Sequence, residues 1–211
     1  VGSTAFQILT IPMTASDAAL SNTNISSIAS ATSNPAVIPF SPYSFIVTHA
    51  VHIENTGYSV ACFNMPINKN SGIGIAVTYF DLGSLTRMSE TGVEQGTFGA
   101  NDKVVSLSYG LKINETISAG VSVKYLQQEI DTVSYSAFAG SLSGIYFINE
   151  TFYFGSGLNN FGSQVNGFNL PTNFYFSVIG NVSDTSSVIA QFDSYYNDDI
   201  SDFKLAAETK F

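Results

Sequence analysis

The residues able to do chemistry are few and poorly matched to one another. His49 and His52 are the only histidines. Three positions apart on a strand they face opposite sides, so they cannot share a metal ion, and neither stands in a nucleophile or acid–base pattern. Cys62 is the single cysteine and has no partner for a disulfide within the chain, which leaves it as a small apolar side chain. Asp193, Asn197, Asp198, Asp199 and Asp202 gather carboxylates at one turn. Their spacing is not that of an EF-hand, and a solvated hairpin tip accounts for them as well as a cation does, so both readings stay open. Gly72-Ile73-Gly74 lacks the third glycine and the helix of a dinucleotide loop, and the abundant Ser and Asp include no nucleophile elbow. The reading is a non-enzymatic protein with no catalytic residue, cofactor or metal assigned.

The balance of charge narrows the partners. Sixteen acidic residues against seven basic ones give a net charge of -9. That excludes nucleic acid, which needs a basic face, and leaves no polybasic stretch for anionic lipid. Only 11% of residues are charged while 45% are hydrophobic, and the mean hydropathy is +0.19. A soluble domain usually carries about 25% charge. No run of about 20 apolar residues exists, so the surplus is not in a transmembrane helix. The chain starts at Val1 without a leader, as expected of a processed exported chain or a trimmed one. Glycosylation sequons at Asn24, Asn114, Asn149 and Asn181 are no more than this composition yields by chance.

The apolar surplus sits on alternating positions. Ile73, Ile75, Val77 and Tyr79 oppose Gly72, Gly74, Ala76 and Thr78, and the same split recurs at 105–113, 117–125, 138–146, 174–178, 188–193 and 203–211. Ten strands are predicted: about 44–53, 58–67, 72–82, 102–113, 116–130, 134–148, 151–161, 172–183, 186–196 and 201–211, with 83–101 as a long exposed loop. A sandwich would put Lys, Glu and Thr on its second face; here that face is Gly, Ala and Ser. It carries a few charges of both signs: Lys112, Lys124, Asp193, Lys204, Glu208 and Lys210. Such a face suits the lumen of a barrel, with the apolar face turned outward. The expectation is an all-β, antiparallel up-and-down barrel of about ten strands over residues 41–211. Residues 1–40 form a plug or arm with a short helix begun by the capping box Thr14-Ala15-Ser16-Asp17.

Several motifs occur in a telling order. Gly2-Ser3-Thr4-Ala5-Phe6-Gln7 with Ile11-Pro12, then Asn34-Pro35-Ala36, Gly74 to Gly83, Gly96 to Asp102, Leu158 to Gly162 and Ala206-Ala207-Glu208 resemble, across nearly the whole chain, the PorV/PorQ family of outer-membrane β-barrels, relatives of the FadL-type transporters. The chain is shorter than usual members. The terminal Phe211 is similar to the signal read by the outer-membrane assembly machinery. The resemblance implies a bacterial outer-membrane protein that passes small apolar molecules or scaffolds secretion, with Asn34, Pro35 and Ala36 where an inner hatch meets the wall. Its partners would be lipid and secretion-system proteins. The alternative is an exported structural protein whose apolar face is covered by copies of itself in an extracellular filament, tube or sheath; a soluble β-sandwich comes third.

Overall fold

The computed structural model describes residues 4–23, 32–51, 56–196 and 200–209. Ten strands follow one another: β1 Ser44–Val51, β2 Gly57–Asn68, β3 Ser71–Met88, β4 Glu94–Lys112, β5 Ile117–Ile130, β6 Val133–Phe147, β7 Phe152–Gly162, β8 Asn173–Asn181, β9 Ser186–Tyr195 and β10 Ile200–Thr209. Each pairs antiparallel with its neighbours in sequence, giving one ten-strand up-and-down sheet. The expected strand count and order are therefore correct. Among the described residues the sheet is not closed, since β1 and β10 do not pair there. Their inward positions, among them Ile46 and Thr48 on β1 and Lys204 and Ala206 on β10, remain half-buried because no strand lies at the roughly 4.8 Å that a ladder needs. The sheet curves around its contents as an open barrel.

Alternation holds along most of the sheet and breaks at a few places, among them Asn159–Asn160 on β7, where two successive residues are buried. On β5 Val121, Val123 and Tyr125 face outward and Gly120, Ser122 and Lys124 face inward, with Val123 59% exposed and Lys124 4%. The expected loop at 83–101 is mostly strand. Beyond Asp81 and Ala100, β3 and β4 leave their other neighbours and continue as a two-stranded ribbon to a turn at 89–93. An isolated ribbon is only marginally stable. Arg87 fastens this one, pairing with Asp131 of the β5–β6 turn and lying 5.7 Å from the centre of the Phe98 ring.

At the opposite end the hairpins are tight and repeat one chemistry. Asn114 Oδ1 accepts from the backbone N–H groups of Thr116 (2.9 Å) and Ile117 (2.8 Å), and Asn149 Oδ1 from those of Thr151 (2.9 Å) and Phe152 (2.8 Å). Ser183 Oγ takes the same place at the β8–β9 turn, accepting from Thr185 and Ser186. Two of the four sequons are thus Asn-Glu-Thr turns, in which the side-chain oxygen satisfies the amides that reverse the chain.

The N-terminal segment lies on the concave side. It has a 3-10 turn at Gln7–Thr10, the short helix α1 at Ala15–Ala19, and a 3-10 helix at Pro35–Phe40. The capping box forms: the Thr14 hydroxyl accepts from the Asp17 amide at 3.1 Å, and Asp17 Oδ2 accepts from the Thr14 amide at 3.0 Å. Phe6 and Ile8 join Tyr58, Val60, Val104 and Leu126 in the main apolar cluster inside the sheet. Thr4 bridges Asn169 in the β7–β8 connection, which turns inward through Val165 and Leu170.

Candidate functional site

The Pro35–Phe40 helix rests directly on the backbone of β3, β4 and β5. A side chain at Gly110 or Gly120 would overlap Pro35 or Ala36, and one at Gly72 would come within 2.7 Å of Ile38 Cγ2. Only glycine leaves room for such an approach. Among the described residues two hydrogen bonds join the helix to the wall: the Ala36 amide donates to Ser143 Oγ at 3.0 Å, and Ser118 Oγ donates to the Ala36 carbonyl at 2.8 Å. At its C-terminal end Phe40 packs edge-on against Phe147 (centroids 5.2 Å apart), and Lys112 Nζ sits 4.5 Å above the Phe40 ring. Asn34, Pro35, Ala36 and Ile38 are buried there.

The charges of the small-residue face do not converge on a single centre. Asp193, fully buried, accepts from Lys204 Nζ at 2.8 Å, Asn173 Nδ2 at 2.9 Å and Gln191 Nε2 at 2.9 Å, so both carboxylate oxygens are engaged. Lys124 is buried on β5, four strands along the sheet from Asp193, and donates to Asn160 Oδ1 at 2.7 Å. Lys112 serves the Phe40 contact. Glu208 lies inward and half-buried on β10, opposite Ser187. Lys210 and Phe211 lie outside the described residues, as do His52 and, in the acidic turn, Asn197, Asp198 and Asp199. His49 is exposed on the outer face and hydrogen-bonds Ser59 Oγ at 2.9 Å. Asp193 of that turn points inward to Lys204, and among the described residues no group of His, Cys, Asp and Glu could hold a metal.

Sequence reasoning overlooked the amides. Asn159, Asn160, Asn173 and Gln191 are all buried on the inner side, and the last three are the hydrogen-bonding amides of Lys124 and Asp193. Their signal was available: polar residues on the small-residue face of strands whose other face is uniformly apolar. A cavity of about 40 Å³ lies between residues 8–23 of the N-terminal segment and the wall, with Lys124, Asn159, Asn160, Asp193 and Lys204 among its lining.

Two outcomes follow from this geometry. Asp193→Ala strands the Lys204 ammonium and is expected to cost about 3–5 kcal/mol in urea unfolding, most of it recovered in Asp193→Ala/Lys204→Met. Gly110→Val/Gly120→Val lifts the Pro35–Phe40 helix from its seat; limited proteolysis should then cut within residues 32–41 at least tenfold faster, with the sheet's circular dichroism retained.

A search of curated proteins found no match. The family model described as type IX secretion system protein PorV matches residues 5–184. That span runs from the first inner residues to the β8–β9 turn, taking in both the N-terminal segment and most of the wall on which it sits. The chain therefore belongs to the PorV family of type IX secretion proteins, a family of the bacterial outer membrane rather than of enzymes.

Proposed function

We propose that this protein is a secretion-associated outer-membrane scaffold whose interior is closed by its own N-terminal residues, with residues 1–40 as the plug and Asn34-Pro35-Ala36 as the hatch point on the wall. The observation that carries this reading is the helix–glycine seat: a segment wedged backbone to backbone against β3, β4 and β5, and joined to the wall among the described residues by two hydrogen bonds, to Ser118 on β5 and Ser143 on β6, and one cation–π contact. Hydrogen bonds of this kind contribute about 0.5–1.5 kcal/mol each. The inner charges then have two tasks. Asp193 and Lys204 hold β9 and β10 in register, while Lys112 secures the end of the hatch.

Lipid is the proposed cover of the outer face. Phe45, Val47, Leu107, Val123, Phe138 and Leu205 are each exposed by half or more along it, which in water would be a large apolar surface. The family match favours lipid over sister subunits. Passage of small apolar molecules is a second reading, supported by the same sparse attachment: displacing the hatch would uncover a lumen lined by glycine and serine.

A folded, heat-modifiable monomer that requires detergent supports the membrane reading, and a chain soluble or polymeric without detergent overturns it. Val123→Arg, in the middle of β5, is expected to lower stability in bilayers by about 2–4 kcal/mol, read from urea titration of liposome-inserted protein. Deleting residues 1–36 should raise liposome permeability to small solutes several-fold; unchanged permeability would remove both the hatch and the passage reading while leaving the scaffold.

A further inference from the structure

Above the glycine seat the inner face of the wall turns polar in two steps. The inward positions next to Gly110 and Gly120 are Ser108 and Ser122, which face each other across β4 and β5; the next are Ser106 and Lys124, again cross-strand partners. The Oγ atoms of Ser108 and Ser122 are buried without a hydrogen-bond partner. So are both amide atoms of Asn34, which precedes the Pro35 that rests on those glycines. One step further is the cavity of about 40 Å³, and two of its lining groups are in the same condition: Asn159 Oδ1 and Thr23 Oγ1, on residues 4% and 2% exposed. The Lys124 ammonium, 4% exposed, also lines it and spends one of its three donors on Asn160.

The chemistry of these groups selects the occupant. Asn159 Oδ1 can only accept, so it needs a donor, whereas Lys124 Nζ can only donate and needs acceptors. Two lysines and two aspartates, Asp17 and Asp193, line the space, so its formal charge is zero and no counter-ion is called for. A bare anion would leave Asn159 facing negative charge, and a metal cation would face two ammonium groups. Water satisfies both ends at once. A site holds a water molecule where it offers roughly 10–15 Å³ and two to four polar partners, so this cavity has room for about three. We propose that the space between the N-terminal segment and the wall is a structured water site, anchored on the Lys124 ammonium and bridging it to Asn159 and Thr23. The lower part of the segment is seated dry on glycine and its upper part wet on this cluster. The inference stands on the polar geometry alone and is independent of whether the outer face meets lipid.

The test is a crystal structure of the wild-type chain at a resolution that shows ordered water, with a second crystal soaked in sodium bromide. Expected are two or three density peaks within hydrogen-bond distance of Lys124 Nζ, Asn159 Oδ1 or Thr23 Oγ1, and no anomalous bromide signal there. In Asn159→Leu the peak bridging Asn159 to Lys124 should vanish while the others persist. An anomalous peak beside Lys124 would make the site an anion site and overturn the proposal. So would a cavity without density, or a Lys124 side chain swung onto Asp193.

Discussion

Everything inside this molecule depends on how closely one piece of backbone can approach another. The Pro35–Phe40 helix lies on β3, β4 and β5 at a separation that excludes even a methyl group at Gly110 and Gly120. A sheet face that must accept backbone rather than side chains has to be built from Gly, Ala and Ser, and that requirement is written along the inner face of every central strand. Apolar bulk is consequently displaced to the outer face. The odd composition of the chain, apolar yet nearly free of charge, is thus the signature of a wall that is smooth inside and greasy outside.

A smooth inner face brings a second constraint, because small polar side chains reach only a short way. Where the N-terminal segment is in contact, Ser118 and Ser143 reach its backbone directly. Where it stands off, hydroxyls and amides have nothing of the protein to bond, and long side chains take over: Lys124 spans to Asn160 and Lys204 to Asp193. Lys124 and Lys204 therefore mark where the wall and its contents draw apart, whereas Lys112 meets the seated helix at Phe40. A charge in such a place is tolerated only with partners, and the buried amides Asn160, Asn173 and Gln191 supply them.

Much of this was legible in the sequence. The ten strands and the identity of each face came from period two, which is local, and strand ends were correct to within a few residues except where β3 and β4 run on into the ribbon. That ribbon reads as a loop because its glycines and charges show no apolar alternation; it is strand because each half pairs with the other and Arg87 ties its base to Asp131. The capping box at Thr14 was legible for the same local reason. The amides were missed because Asn on a strand looks like a turn or a solvated position until its neighbours across the sheet are known.

The sequence by itself determined strand number, which face is apolar, the start of α1 and the small-residue surface, since each is fixed by residues a few positions apart. Only the tertiary structure decided that Asn34-Pro35-Ala36 lies on Gly110 and Gly120, that Asp193 meets Lys204 while Lys124 meets an amide, and that β1 and β10 leave the sheet open. Those outcomes depend on the curvature of ten strands around a folded segment, a long-range quantity that no local spacing encodes.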